Sequence, residues 1–174
     1  NALYEIEKNS SKQIEKIKTE STSDFNYLQH TGQNSFFPRF SKPFHYLAYL
    51  EHQDAETKLI ILDSELKPLP LKNLPEGSIN SLDFHPTEKK LLYTKVDKIN
   101  SKYKFSDLYV YDLEKDESKQ ITHAARARDA SLSEDGENVV FISTFNGKTQ
   151  VKTLNLKSEK INQIADSGFT SRYQ

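Results

Sequence analysis

A spacing of about 43 residues recurs along this chain, and a repeat of that length constrains the fold more than any single motif does. Phe40, Phe84 and Leu132 each end a short run just before a turn, and Tyr49, Tyr93 and Phe141 follow nine residues later in every case. A third run reads Leu59-Ile60-Ile61-Leu62-Asp63, then Leu108-Tyr109-Val110-Tyr111-Asp112, then Val151-Lys152-Thr153-Leu154-Asn155. A fourth, more polar run centres on Leu71, Ile121 and Ile164, and Leu28 lies 43 residues before Leu71. The spacings fall at 43 to 44 or at 48 to 50, and every long one spans residues 98–105. One hairpin extension in the middle repeat accounts for all of the irregularity.

Four short strands per repeat, at this period, describe a four-stranded β-propeller blade. The turns agree with that reading. Asn146-Gly147 lies between two apolar runs, and Asp135-Gly136 supplies a second turn able to take positive φ. The second strand, apolar on both faces as in Val139-Val140-Phe141-Ile142, suits a sheet stacked between two others. The fourth, as in Lys119-Gln120-Ile121-Thr122-His123, suits an outer edge where charge discourages unwanted pairing. Asp63, Asp112 and Asn155 repeat unit by unit, which points to side chains accepting backbone hydrogen bonds at turns.

The expected class is therefore all-β, a partial propeller of three four-stranded antiparallel blades with a short N-terminal helical segment. Residues 1–24 form the lead-in, with Leu3, Ile6, Ile14 and Ile17 at roughly helical spacing. Residues 25–174 form the partial propeller, with blades at about 31–75, 76–124 and 125–166. Asn26-Tyr27-Leu28-Gln29-His30 matches a fourth strand with no first three before it, and the next anchor would fall near residue 175. The expectation is that remaining blades of the same polypeptide flank these residues; the alternative is assembly of two copies into one ring.

Composition excludes several function classes. With 24 basic against 25 acidic side chains and a pI near 6.6, there is no electrostatic footprint for nucleic acid. The chain has no cysteine, which removes disulfides, thiolate zinc sites and cysteine nucleophiles. No apolar stretch reaches the roughly 18 residues that span a bilayer, so no membrane insertion is expected. No zinc-peptidase His-Glu-x-x-His, serine-hydrolase elbow, phosphate loop or dinucleotide turn occurs. His30, His45, His52, His85 and His123 show no ligand spacing, so neither a metal nor another cofactor is expected. Asp83 and Asp129 are the carboxylates considered as a chance acid and base pair, against the reading that they are turn or edge residues.

The pattern of Leu132-Ser133, Asp135-Gly136 and Val139-Val140-Phe141-Ile142, with Asp107-Leu108-Tyr109-Val110-Tyr111-Asp112-Leu113 and Gln120-Ile121-Thr122, resembles the TolB-type β-propeller repeat. It is also similar to the propellers of tricorn-like and prolyl-oligopeptidase-like peptidases. The resemblance runs over about residues 26–174 and is closest in the third repeat. The first departs from it with Ser41-Lys42-Pro43-Phe44, and the second with His85-Pro86-Thr87-Glu88. It implies a non-catalytic propeller that binds a protein or peptide, or one that gates a peptidase domain elsewhere in the chain. The compartment that fits is periplasmic or extracellular.

Residues leading into the first strand of such a blade tend to line one mouth of the central channel. Here these are Asn34 and Ser35, Asn80 and Ser81, then Arg126, Arg128 and Asp129. Arginines at that place can hold a peptide carboxylate or an acidic partner segment by bidentate hydrogen bonds, or pair with Asp129 or a neighbouring blade. Tyr103 and Phe105 in the insertion form either an exposed partner contact or packing on their own hairpin.

Overall fold

The computed structural model describes residues 34–53, 56–99 and 103–166. The expected helical lead-in, the strand at Asn26 to His30, the tip of the insertion and any strand after residue 166 lie outside the described residues. Within them there is no helix, and all strand pairs are antiparallel. The strands are β1 (Ser35–Ser41), β2 (Tyr46–Gln53), β3 (Glu56–Leu62), β4 (Glu76–Phe84), β5 (Lys90–Ile99), β6 (Tyr103–Asp112), β7 (Glu117–Gln120), β8 (Ala127–Leu132), β9 (Asn138–Phe145), β10 (Lys148–Asn155) and β11 (Ile161–Asp166).

Pairing departs from the expected three sheets of four. It gives one seven-stranded sheet in the order β1 to β7 and one four-stranded sheet, β8 to β11. The strand expected around Leu71 does not form. Pro68 and Pro70 lack the N–H a ladder needs, and only the isolated bridge of Leu62 with Pro68 remains. Leu71 still packs against the first core. Two residue pairs, Thr57 with Gly77 and Lys58 with Glu76, then join β3 to β4 and merge the first two repeats into one sheet.

The hairpins follow their sequence signals. Asn146 and Gly147 both take positive φ, 48° and 73°, as a two-residue hairpin turn requires, and Phe145 pairs Lys148 beside it. The irregular spacing in the middle repeat is a lengthened β5–β6 hairpin, paired from Lys90 with Asp112 out to Ile99 with Tyr103. Each third strand ends in an acceptor that closes its turn. Asp63 Oδ1 accepts from the N–H of Glu65 and Lys67, Asp112 Oδ1 from Glu114 and Lys115, and Asn155 Oδ1 from Lys157 and Ser158.

Two cores explain why the second strands are apolar on both faces. Leu91, Tyr93, Tyr109 and Tyr111 of β5 and β6 pack with Ala48, Leu50, Leu59 and Ile61 of β2 and β3. Their alternating neighbours Leu92 and Leu108 pack on the opposite side with Val139, Phe141 and Leu154. Every one of these side chains is buried, and each fully buried leucine contributes about 2 kcal/mol. The first-strand anchors face the preceding repeat. Phe84 is 8% exposed in the first core and Leu132 packs on the second, whereas Phe40 is 59% exposed on the side where no other described strand lies. Val140, in the register position of Ala48 and Leu92, is exposed on the far face for the same reason.

Polar bonds lock the repeats together. The Asp116 carboxylate accepts from the N–H of Lys72 and Asn73 and from the Tyr111 hydroxyl, so one side chain ties the 71–74 segment to the β6–β7 turn. Burial raises Tyr111, and the Tyr111 hydrogen bond lowers Asp116. His85 Nδ1 accepts from the N–H of Thr87 and Glu88, leaving Nε2 to donate to the Gly136 carbonyl at 3.2 Å.

Candidate functional site

Of the first strands of the three repeats, β1, β4 and β8, the middle one, β4, lies against both of the others. Asp83 of β4 bridges to β8 by accepting from Ser131 Oγ and Leu132 N–H, both at 2.8 Å. Each of the three strands carries a register break. It falls between Phe36 and Arg39 in β1, between Ile79 and Ser81 in β4, and between Arg128 and Ser131 in β8. In β1 and β8 two residues oppose one across the ladder, and the opposed residues are Tyr49 and Phe141. Phe37 and Asp129, both three residues before their anchors, take left-handed φ of 53° and 50°. Such bulges bend a strand and turn its side chains out of the ladder.

Of the expected mouth residues, Asn80, Arg128 and Asp129 sit at these breaks, and Asn34 and Arg126 precede their strands. Asn34 is exposed just ahead of β1, and its carbonyl accepts from the His52 N–H at 2.9 Å. Asn80 is the exposed residue left without a partner pair in β4. Arg128 and Asp129 are exposed at the β8 break, and Arg126 is exposed just before the strand. Counted back from the anchors, Asn80 aligns with Phe36 and Arg128, while Asn34 aligns with Ser78 and Arg126. Asn34 and Asn80 are therefore not in equivalent positions: Asn34 lies six residues before its anchor and Asn80 four.

The two arginines differ in what they touch. Arg128 Nη1 donates to Asp129 Oδ2 at 2.8 Å. The Arg126 guanidinium carbon lies over the Phe105 ring, 4.9 Å from its centroid, and no described residue accepts a hydrogen bond from it. The structure thus brings together the β8 cluster and the insertion, which the spacing in sequence had left separate. Phe105 is half-buried on β6; the Tyr103 side chain lies outside the described residues. Asp83 and Asp129 are each engaged with their own donors, on Ser131 and Leu132 and on Arg128.

A buried carboxylate that the sequence reading gave no role fixes the approach to β8. Asp107, 1% exposed, accepts from Thr122 Oγ1 at 2.8 Å and from the N–H of Ala124 and Ala125 at 2.9 and 2.8 Å. Ser143 Oγ donates to the Ala125 carbonyl at 2.7 Å. A fixed anion facing successive N–H groups holds this connection in shape, and Ala124 and Arg126 both take left-handed φ, 56° and 51°. The only sequence signal was its place at the head of the Leu108 run.

A cleft of about 610 Å³ lies between the second and third repeats, floored by Leu92, Val110, Ile121, Leu132 and Leu156. Four of its lining charges form two ion pairs, Glu88 with Lys90 and Glu137 with Lys157. Among the described residues no cluster of histidine and carboxylate side chains is arranged to hold a metal ion, and no helix is long and apolar enough to cross a membrane.

No family model matches the sequence, and no curated protein matches it. Solved structures do match in fold. TolB from Acinetobacter baumannii superposes with a TM-score of 0.66 at 15% identity, over 86% of this chain and 37% of that one. The β-propeller domain of the Trilobed protease from Pyrococcus furiosus, described as an open velcro topology, gives 0.59 at 19% identity, over 79% of this chain and 44% of that one. The acylaminoacyl peptidase of Pyrococcus horikoshii gives 0.59 at 13% identity, over 79% of this chain and 25% of that one. This chain spans less than half the length of each of these three. The described residues have the fold of TolB-type β-propeller repeats.

Proposed function

We propose that this chain is three consecutive blades of a TolB-like β-propeller, at about 31–75, 76–124 and 125–166, the first short of its fourth strand. In this reading residues 1–24 are a lead-in, and the remaining blades belong to the same polypeptide. The segment serves as a non-catalytic scaffold for a protein or peptide partner within a larger periplasmic or extracellular protein. β1, β4 and β8 line a central channel, and Asn34, Asn80, Arg126, Arg128 and Asp129 stand at its mouth beside the insertion carrying Tyr103 and Phe105. The observation that supports this most is the side-by-side packing of three bulged first strands that expose polar and cationic side chains.

Changing Arg126 and Arg128 together to Ala in the natural polypeptide should weaken capture of its partner about tenfold and leave the melting temperature unchanged, because both side chains are exposed. Undiminished capture with a lowered melting temperature would make the cluster structural and sink the reading. A second reading, an accessory propeller gating a peptidase domain outside these residues, draws support from the likeness to the Trilobed protease and the acylaminoacyl peptidase. A zinc or serine peptidase motif in the flanking coding sequence decides for it; flanks without one decide against it.

A further inference from the structure

We propose that Arg126, laid over Phe105, is the group that receives a carboxylate from an acidic segment of the partner; this rests on the mouth reading above and names its chemistry. A guanidinium over an aromatic ring is attracted by the ring face while its N–H donors remain directed outward in their own plane. At 4.9 Å from the Phe105 centroid, Arg126 has that support and no acceptor among the described residues. Arg128, two residues on, has its charge already met by Asp129 at 2.8 Å. Among the described residues the β8 cluster therefore keeps one cation with no paired carboxylate, Arg126.

The backbone beneath it is fixed before any ligand arrives. Asp107 holds the N–H groups of Ala124 and Ala125, Ser143 holds the Ala125 carbonyl, and Arg126 itself sits at φ 51°. A non-glycine residue in the left-handed region is strained and persists where its surroundings over-determine it. An arginine ordered in advance loses less entropy on binding, so more of the charge-assisted hydrogen bonding appears as affinity. Lys89 and Lys95 also lie over rings, those of Phe44 and Tyr109, but each is already paired with a carboxylate at 3.2 Å, Glu114 and Asp97, and Lys119 is spent on Glu159 at 3.0 Å.

The test is a titration of the isotope-labelled full chain with a capped glutamate-rich peptide and its glutamine counterpart, read on the arginine side-chain N–H resonances. The glutamate peptide should shift the Arg126 resonance and bind about tenfold more tightly than the glutamine one. Arg126→Gln should remove that preference, Phe105→Leu should weaken it several-fold, and Lys119→Gln, at a lysine paired with Glu159, should leave it within about twofold. Unchanged backbone amide spectra establish that the variants fold. Equal binding of the two peptides, no binding of either, or a Lys119→Gln effect as large as that of Arg126→Gln would overturn the proposal. If the peptide result is negative while the double alanine variant still loses its partner, only the carboxylate chemistry falls. If both are negative, the mouth reading falls with it.

Discussion

Gly136 and Gly147 share a φ of 73°, yet their surroundings separate two costs that are usually confounded. A Cβ on Gly147 meets nothing within 4 Å, so Gly147→Ala bears only the left-handed backbone penalty, about 1 kcal/mol. A Cβ on Gly136 falls 2.3 Å from His85 Nε2, so Gly136→Ala adds an overpacking cost and should total about 3 kcal/mol. Urea unfolding of the two variants checks this; equal losses would show that His85 does not press on the third repeat. At this scale the sequence was legible where a residue type repeats. Asp63, Asp112 and Asn155 announced their turn bonds because the same side-chain chemistry came back in each unit. Arg126 and Phe105 gave no such notice. They lie 21 residues apart on different elements, and only the long β5–β6 hairpin and the Asp107 anchor bring them together.

Among elements, the β6–β7 turn carries the most consequential contact, because Asp116 binds the 71–74 segment that replaces the missing strand of the first repeat. The Tyr111 hydroxyl and the Lys72 N–H hold Asp116 below its ordinary 3.8, against the opposing pull of desolvation. A carboxylate lowered on folding adds stability above its ordinary value and loses that contribution as pH falls through the lowered one. Asp116→Asn should therefore unfold at lower urea than the parent chain at neutral pH. The gap should close once pH is well below 3.8. A gap that stays constant across that range would show that charge at Asp116 is not what binds the turn. No strand forms at Leu71, although its apolar spacing fits one. Spacing locates a side chain that packs, which Leu71 does, but Pro68 and Pro70 remove the donors a ladder requires.

For the whole described fold, the period carried most of the information: a face that repeats must be covered by its neighbour, and two cores on opposite sides of β5 and β6 are that covering. The sheet count was less legible, since two residue pairs between β3 and β4 suffice to merge two repeats and no sequence pattern marks them. Successive repeats stack with their first strands together. A chain with no cysteine allows this to be read by oxidation of introduced pairs. Asp83→Cys with Ser131→Cys replaces side chains whose oxygens lie 2.8 Å apart on β4 and β8. Asp83→Cys with Asn162→Cys places the second thiol on β11, three strands and so about 14 Å further across the sheet. The account predicts rapid intramolecular disulfide formation in the first pair and none in the second. Cross-linking of the second pair, or none in the first under conditions that oxidise exposed thiols, would contradict it.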